Sequence, residues 1–473
     1  MSAQPYNESP LCSYDQLLLP FQRAEKPRSR WRVGTEAEKF GVFRDGSPVP
    51  YEGERSIRTV LEALADRHGW FEEQEYEGGP VVALRRGDAS ITLEPGGQLE
   101  LSGAPHATIH ATCSEFRGHM AELRDISNDL GIIWLGLGFH PTATQDTLPT
   151  VPKLRYQVMR HYLPTRGAMA LDMMRRTCTV QTNLDYSDEP DAMRKLRLSL
   201  ALQPIVTAMF ANSPWVEGRH QGERCRRARV WLHMDPDRCG LLPFAWNPKA
   251  TYRDYVEWAL DVPMFMVKRG EALHHNTGQT FRSFMNDGFE GVKPNLGDWE
   301  THLNTLFPEA RLKKTLELRG ADAQDTSLVS ALSALWKGLL YDDRAMDKVE
   351  ALIEGWSYEA VEAIRPEIAT SAIRTNLYGR PVLEWAKEIL EIASFGLREA
   401  SHLDRHGEDE TIYLKTLQYL IDSASCPADR LLEKVDPKAE LLGEILAHAE
   451  VHTSSQKSKA HQETVTSPPT ASP

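Results

Sequence analysis

Arg32-Val-Gly-Thr-Glu-Ala-Glu-Lys-Phe-Gly41 is the stretch that decides the fold, and it alternates acidic side chains with small or apolar ones. This alternation is typical of a β-strand with one polar face, because successive side chains of a strand point to opposite faces of the sheet. Glu36 and Glu38 are therefore expected to project side by side from the same face.

Two later stretches repeat the pattern. In Ile91-Thr-Leu-Glu-Pro-Gly-Gly-Gln-Leu-Glu-Leu-Ser102, the segment Pro95-Gly96-Gly97 predicts a tight turn between two strands. That turn brings Glu94 towards the second strand, on which Gln98 and Glu100 share a face. In Leu316-Glu-Leu-Arg-Gly-Ala-Asp322, leucines alternate with Glu317 and Arg319. Three strands are thus predicted to present acids on one face of a sheet.

Two interpretations of these acids remain open. An antiparallel sheet with one face in water carries alternating polar residues as a matter of course. Like charges on neighbouring strands destabilise a sheet, however, and glutamate is a poor strand former, so three acidic strands call for a counter-charge. Hard divalent cations bind carboxylate oxygens, and magnesium usually takes substrate phosphates as well. The residues therefore favour a magnesium–nucleotide site on a sheet.

Composition narrows the class of protein. The chain has 473 residues, of which 41% are hydrophobic and 26% charged, as in a soluble globular protein. A net charge of −13 argues against a general nucleic-acid or anionic-membrane binder. No run approaches the roughly 20 apolar residues of a membrane-spanning helix, and the N-terminus lacks a signal-peptide core. The sequence predicts a cytoplasmic protein with no nucleic-acid or membrane partner.

The organisation along the chain is predicted from periodicity. We expect a loosely held N-terminal arm over 1–30, a catalytic sheet-and-helix core over 31–326, and a helical C-terminal part over 327–451 that completes the same domain. Amphipathic helices are predicted over about 55–68 and 107–130, each ended by a glycine. The tail, 452–473, has hardly an apolar residue and is predicted to be disordered.

Three further segments carry predictions about strands and helices. Thr177–Asp185 is expected to be a strand whose polar face includes Gln181, and Ile132–Phe139 to be a buried strand. Trp231, His233 and Asp235 alternate as on a short strand. The basic run before them, from Arg219 to Arg229, has the composition of a solvated loop, with a phosphate-facing loop as the alternative. The helix after Pro190 is expected to kink or end at Pro204.

No Walker A sequence occurs in the chain, and the Gly-Leu-Gly within residues 132–139 is an incomplete nucleotide fingerprint. The commonest route to ATP binding is therefore excluded. A nucleotide would have to be held by the acidic strands.

Several long strings together resemble glutamate–cysteine ligase of the plant and proteobacterial type, over about residues 12–435. The strings are GTEAEKFG, ITLEPGGQLELSGAP, RTCTVQTNLDY, LALQPI, MFANSPW, DRCGLLPF, YVEWALDVPM, DWETHLNTLFPEARLKKTLELRGAD and KGLLYDD. The resemblance implies an α+β fold similar to that of glutamine synthetase and other carboxylate–amine ligases. In this fold an antiparallel β-sheet forms a bowl, backed by helices, with a helical C-terminal part.

The resemblance also implies an activity, the ATP-dependent joining of the glutamate γ-carboxyl to the cysteine amine through a γ-glutamyl phosphate. This is the first step of glutathione synthesis. Phosphoryl transfer chiefly needs positioning and charge neutralisation, for which two or three magnesium ions are expected. By motif, the implied metal ligands are Glu36, Glu38, Glu94, Glu100 and Glu317.

Other site residues follow from the same comparison and from the chemistry of the substrates. Arg319 and Gln181 are predicted as catalytic residues. Arg319 is expected to stabilise the transferring phosphoryl group, and Gln181 to lie where related ligases place a further ligand on the nucleotide side. Lys39 and Arg176 are candidates for phosphate contacts, with a structural ion pair as the alternative. The α-carboxylate of glutamate calls for an arginine fork, and the candidates are Arg229 and Arg238.

The expected partners are the small molecules glutamate, cysteine and ATP, with the chain a monomer or homodimer. Two alternatives stay open. The first is a γ-glutamyl ligase for another amine, because the motifs do not fix the acceptor pocket. The second is a non-catalytic binding protein of the same fold, against which the complete set of strand acids argues.

The six cysteines include no CxxC pair, so no zinc site or disulfide scaffold is predicted. Plant members of the family are known for redox-sensitive disulfides, and Cys113 resembles one cysteine of such a pair. The stretch that matches its partner, Ser330–Asp342, contains no cysteine. Cys113 is therefore expected to be a free, buried thiol.

Overall fold

A computed structural model describes residues 7–270, 272–435 and 441–451 of the protein. In chain order the strands are β1 (Val33–Phe43), β2 (Phe71–Gln74), β3 (Val81–Arg86), β4 (Ala89–Leu93), β5 (Leu99–Ser102), β6 (Ile132–Leu135), β7 (Thr179–Leu184), β8 (Trp215–Val216), β9 (Arg219–His220), β10 (Cys239–Gly240), β11 (Val267–Arg269), β12 (Ala272–His274), β13 (Phe307–Pro308), β14 (Ala310–Leu312), β15 (Leu316–Asp322), β16 (Asn376–Leu377) and β17 (Arg380–Pro381).

The helices surround these strands and dominate the C-terminal third. They are α1 (Leu19–Gln22), α2 (Ile57–His68), α3 (Ile109–Leu130), α4 (Leu154–Tyr162), α5 (Ala170–Arg176), α6 (Glu189–Met209), α7 (Arg226–Leu232), α8 (Tyr252–Asp261), α9 (Phe281–Asp287), α10 (Leu296–Leu303), α11 (Thr326–Leu340), α12 (Asp343–Leu352), α13 (Tyr358–Ser371), α14 (Val382–Ala400), α15 (Lys415–Asp422), α16 (Pro427–Lys434) and α17 (Leu441–Ala449). Short 3₁₀ helices lie at Tyr14–Leu18, Arg28–Arg30, Leu163–Thr165, Pro243–Trp246, Ala372–Arg374 and Glu410–Leu414. No helix in the described part of the chain is long and apolar enough to cross a membrane.

A nine-stranded sheet organises the described residues, in the order β14-β15-β7-β1-β5-β4-β3-β2, with β6 paired to the second half of β1. Every pairing in this sheet is antiparallel. The remaining strands form two-stranded ladders outside the sheet. The predicted α+β architecture on an antiparallel sheet is confirmed.

The sheet has one apolar face and one polar face. On β1, Thr35, Ala37 and Lys39 are buried, whereas Glu36 and Glu38, which alternate with them, are partly exposed. Helix α11 covers the apolar face, where the Ser333 hydroxyl lies 2.6 Å from that of Thr35. Glu36 and Glu38 on the other face stay partly exposed, so a ligand can reach them.

The predicted helix ends are confirmed by their caps. The Ser56 side chain accepts a hydrogen bond from the Thr59 amide at the start of α2, and the helix ends at Gly69, whose φ is 70°. Helix α3 likewise ends at Gly131, with φ 67°. Glycine tolerates this left-handed conformation, which other residues adopt at a cost.

Several local predictions were wrong. Trp231 lies on helix α7 and not on a strand. Helix α6 does not end at Pro204, one of the two predicted outcomes, but continues to Met209. The strand predicted over 132–139 ends at Leu135. In the two strand predictions, at Trp231 and over 132–139, an apolar or alternating run was too short to define the element without tertiary contacts.

The N-terminal arm is also held more firmly than predicted. Leu17 and Phe21 are fully buried in the main core, and the indole nitrogen of Trp299 donates a hydrogen bond to the Leu17 carbonyl at 2.9 Å. The tail predicted to be disordered, 452–473, lies outside the described residues.

Candidate active site

Four carboxylates crowd the polar face around β1 and β5. Glu38 lies directly opposite Glu100 across the β1–β5 pairing, and Glu36 lies opposite Gln181 across β1–β7. Glu94 enters through the predicted turn, which its amide closes by donating to the Gln98 carbonyl at 2.9 Å. None of these four, hereafter the unpaired carboxylates, forms an ion pair with a described residue.

Neutral donors hold the unpaired carboxylates in place. The Asn183 side-chain amide donates to Glu36 Oε1 at 3.0 Å, and the Thr179 amide donates to Glu38 Oε2 at 2.9 Å. The Thr92 hydroxyl donates to Glu100. These groups orient the carboxylates but leave their charge in place.

The pKa values record this uncompensated charge. Burial, with the charges of Glu100 and Glu317, raises the pKa of Glu36 to about 7. Burial and the charge of Glu94 also raise the pKa values of Glu38 and Glu100. Burial and neighbouring negative charges disfavour the ionised form of a carboxyl group, which is why these pKa values are raised.

The unpaired carboxylates fit a hard divalent cation by their donor chemistry and by their need for positive charge. As they stand in the structure, however, the described residues include no group of three or more acidic, histidine or cysteine side chains gathered closely enough to enclose an ion. Magnesium is commonly held by one or two carboxylates together with water and substrate phosphates. An incomplete protein cage of this kind suits an ion that arrives with a nucleotide.

Glu317 lies in a very different environment, although it occupies the same face. It is fully buried, and its carboxylate accepts hydrogen bonds from Arg311 at 2.7 and 2.9 Å and also contacts Lys313 and Arg319. Burial by itself raises a carboxyl pKa, yet these three cations hold the pKa of Glu317 well below its usual range. These four residues are called the paired cluster. Because its oxygens are occupied, Glu317 is not available as the predicted metal ligand in this structure.

Arg319 and Gln181 are brought together as predicted. One terminal nitrogen of the Arg319 guanidinium donates to Gln181 Oε1 at 2.7 Å and also contacts Glu317. Gln181 itself lies opposite Glu36. This chain of contacts links the paired cluster to the unpaired carboxylates across β7.

A cleft opens beside Arg319, and its second arginine was missed by the sequence prediction. The lining residues are Thr207, Arg227, Ala228, Trp231, Gly240, Phe307, Pro308, Glu309, Arg319 and Gly320. Arg227 is buried and donates to the Arg319 carbonyl at 2.8 Å, while its Nε has no described hydrogen-bond partner. We call this the arginine cleft. The sequence prediction interpreted the basic run as a solvated loop. In the structure Arg227 is buried, whereas Arg226 and Arg229 on the same helix are partly exposed.

The two arginines predicted to bind glutamate are engaged elsewhere. Arg238 is fully buried, with its Nε donating to Asp235 at 2.7 Å and its terminal nitrogens donating to the carbonyls of Thr305 and Pro263. Arg229 donates to Glu223 at 2.9 Å. Neither lines the arginine cleft.

The two candidates for phosphate contact are also displaced from the acids. Lys39 lies on the opposite face of β1, with its ammonium 3.3 Å from His119 Nε2, and burial lowers its pKa to about 8. Arg176 is buried and pairs with Asp172 at 3.3 Å and Glu217 at 3.1 Å. The structural ion pair, the alternative considered for Arg176, is the arrangement observed.

A larger cavity of about 490 Å³ adjoins the arginine cleft and shares Trp231 and Gly240 with it. Cys239 is part of its wall. All six cysteines are free, and Cys113 is buried on α3 as predicted. The cavity therefore adjoins the cleft that Arg319 lines.

Known proteins share long stretches of sequence with this chain. Residues 32–459 match the family Glutamate-cysteine ligase family 2 (GCS2). Glutamate–cysteine ligase B of rice (Oryza sativa subsp. japonica), named as chloroplastic, is 42% identical over 417 residues, which are 87% of this chain and 82% of the rice protein. The chloroplastic enzyme of tobacco (Nicotiana tabacum) is 40% identical over 437 residues, covering 92% of this chain and 80% of the relative.

Solved structures show the same fold at low sequence identity. Glutamate–cysteine ligase from Francisella tularensis, solved in complex with AMP, superposes with a TM-score of 0.54 at 11% identity and covers 93% of this chain and 95% of its own. A bifunctional glutathione synthetase from Pasteurella multocida gives a TM-score of 0.51 at 14% identity, covering 94% of this chain and 54% of its own.

One prediction is contradicted by the comparisons. The composition and the N-terminus predicted a cytoplasmic protein, yet the relatives from rice, Medicago truncatula, tobacco and Arabidopsis thaliana are all named as chloroplastic. The cytoplasmic prediction was wrong because a compartment is not encoded in overall charge or hydropathy.

Proposed function

The chain belongs to Glutamate-cysteine ligase family 2, and from that premise we propose that it joins the γ-carboxyl of glutamate to the amine of cysteine at the expense of ATP. The product is γ-glutamylcysteine, the first intermediate of glutathione biosynthesis. The observation that carries the proposal is the row of unpaired carboxylates on an open sheet face, beside a cleft lined by Arg227 and Arg319.

The chemistry has two steps. An oxygen of the glutamate γ-carboxylate attacks the terminal phosphorus of ATP, and ADP leaves, which converts a poor electrophile into an acyl phosphate. The cysteine nitrogen then attacks the acyl carbon, inorganic phosphate leaves, and the nitrogen loses a proton. Both steps move negative charge between oxygens, so the protein contributes mainly positioning and charge stabilisation.

The unpaired carboxylates Glu36, Glu38, Glu94 and Glu100 are the residues that would hold magnesium. When bound there, magnesium supplies positive charge next to phosphate oxygens. Protonation of Glu36 and its neighbours opposes metal binding, because a carboxylate must be ionised to act as a ligand. The protein thus offers a site whose charge is balanced only when cation and nucleotide are present.

Arg319 and Gln181 are assigned to the reacting centre. Arg319 is held by Gln181 and Glu317, so its guanidinium is oriented before substrate arrives. A pre-oriented donor stabilises developing charge without having to reorganise during the reaction. Arg227, two residues before the predicted Arg229, is assigned to the α-carboxylate of glutamate, since its Nε is unsatisfied and it lines the cleft.

The test is an assay of ADP release with glutamate, cysteine, ATP and magnesium, with γ-glutamylcysteine identified by mass spectrometry. Hydroxylamine in place of cysteine should trap the acyl phosphate as a γ-glutamyl hydroxamate. A panel of other amines tests the acceptor, and a product formed faster with another amine than with cysteine would replace the proposed acceptor. No ADP release with any acceptor would contradict catalysis altogether.

A further inference from the structure

We propose that Arg155 binds an oxyanion of a substrate at the outer end of the unpaired carboxylates. The proposal rests on the proposed function, because it identifies a substrate-binding residue of the same site. The oxyanion is a phosphate of the nucleotide or a carboxylate of the amino acid. Both have the chemistry that an arginine fork recognises.

Helix α4 fixes the position of this arginine. The Lys153 ammonium and the Tyr156 hydroxyl both donate to the carbonyl of Leu93, at 2.9 and 2.8 Å. Leu93 is the last residue of β4 and directly precedes Glu94. One terminal nitrogen of Arg155 in turn donates to the Tyr156 hydroxyl at 3.1 Å. Two hydrogen bonds therefore connect the Arg155 guanidinium to the backbone beside Glu94.

Arg155 is an exposed residue, and its guanidinium has spare donors. Its hydrogen bond to Tyr156 is the one that it makes among the described residues, and it forms no ion pair with them. The pKa of Arg155 is raised, chiefly by Tyr156 and also by the nearby charges of Glu94 and Glu100. An arginine has five N–H donors, and one that lies near carboxylates without bonding to them keeps most of these donors available for an incoming anion.

The opposite end of the face shows what an engaged arginine looks like. Arg311 is buried and donates to both oxygens of Glu317 and to two backbone carbonyls. Its two terminal nitrogens are fully engaged, and its Nε is buried without a described partner. Arg155 differs, since it is an exposed residue whose guanidinium donates to Tyr156 alone among the described residues.

The strand order explains why a substrate anion at the β4 end of the acidic face would need a cation other than Arg319. Three strand steps separate β15, which carries Arg319, from β5, and one more leads to β4. At about 4.8 Å a step, Arg319 and Arg155 stand on the order of 15–20 Å apart. A nucleotide and glutamate arranged along the face therefore extend beyond the reach of Arg319, and Arg155 is the exposed cation at the far end.

The test replaces Arg155 and measures each substrate separately. We expect Arg155→Met to raise KM for one substrate at least tenfold, with Arg155→Lys intermediate, because a point charge replaces part of the fork. Arg160→Met is the matched control, since Arg160 is an exposed arginine on the same helix. It should change either KM less than twofold, and melting temperatures should verify that all three variants fold.

Direct binding separates the two sources of the anion. Calorimetric titration with magnesium–ADP requires no turnover. Weaker ADP binding together with a higher KM for ATP identifies a phosphate, whereas a higher KM for glutamate with unchanged ADP binding identifies the amino-acid carboxylate. If neither KM nor ADP affinity changes more than twofold, the proposal is overturned. Lost ADP affinity in Arg155→Met, in a protein that makes no γ-glutamylcysteine, would retain this proposal and refute the proposed function.

Discussion

The two ends of the acidic face use the same side chain for opposite purposes. At the paired cluster, Glu317 is fully buried and surrounded by Arg311, Lys313 and Arg319. At the unpaired carboxylates, Glu38 and Glu100 face each other with no cation within ion-pair distance among the described residues. In the paired cluster the charge of Glu317 is neutralised. Among the unpaired carboxylates the negative charges repel each other until a ligand neutralises them.

This difference shows that a strand glutamate has no fixed role. A buried carboxylate with three cations has no need of a metal, whereas carboxylates with raised pKa values do. Removing a charge should therefore have opposite effects on stability at the two ends.

The largest expected effect is at the paired cluster. Glu317→Gln leaves the buried charges of Arg311 and Lys313 uncompensated, so we expect the free energy of unfolding to fall by about 3–5 kcal/mol. Urea denaturation measures this. The control is Glu72→Gln, because Glu72 is an exposed acid on β2 of the same sheet. A loss below about 1 kcal/mol would remove the distinction between the two ends.

The second effect is on catalysis at the unpaired carboxylates. Glu38→Ala should lower kcat at least ~100-fold, because loss of even an outer-shell partner of a metal typically costs 10–100-fold. Its melting temperature without magnesium should stay the same or rise, since repulsion with Glu100 is relieved. ADP release and thermal unfolding, with Glu72→Ala as control, test both parts. Normal turnover would refute the assignment of Glu38.

The pH dependence of stability sharpens the comparison further. The pKa of Glu36 is raised from 4.5 to about 7, so the folded state binds the proton more tightly than the unfolded state. Without magnesium, this group should make stability fall as pH rises from about 4.5 to about 7, by on the order of 1–3 kcal/mol. Above pH 7 the contribution is constant.

Unfolding of wild type and of Glu36→Gln should be measured across this pH range in EDTA. Subtracting the two curves removes the groups that titrate in both proteins. Magnesium should flatten the wild-type slope if it binds the unpaired carboxylates. An unchanged slope in Glu36→Gln would show that other groups cause the pH dependence.

The smallest of these effects concerns the arginine cleft beside the paired cluster. Arg227→Lys should raise KM for glutamate about tenfold, since one charge-assisted hydrogen bond contributes roughly 1.5–3 kcal/mol. Arg229→Lys, two residues away and paired with Glu223, should change KM less than twofold. Steady-state kinetics with glutamate as the varied substrate gives both values. A larger rise in KM for Arg229→Lys than for Arg227→Lys would restore Arg229, the candidate predicted from the sequence.

The sequence by itself determined the sheet and the positions of its acids. Strand alternation places Glu36 and Glu38 on one face whatever residues they contact. Pro95-Gly96-Gly97 favours a turn, because proline and glycine have the backbone angles that turns require. The helix ends at Gly69 and Gly131 were predicted for the same local reason. These features depend on backbone geometry within a few residues.

Only the tertiary structure decided which charges meet. Lys39 follows Glu38 in sequence, yet its side chain lies on the opposite face of β1, beside His119. The prediction had grouped Lys39 with the acids because the two are adjacent in the motif. Arg227 and Arg229 look alike in sequence, but on helix α7 Arg227 is buried and lines the cleft whereas Arg229 pairs with Glu223. Whether Glu317 is neutralised depends on Arg311 of β14, a strand that the sequence did not predict. Coulomb interactions depend on distances across strands and helices, and local sequence patterns do not specify those distances.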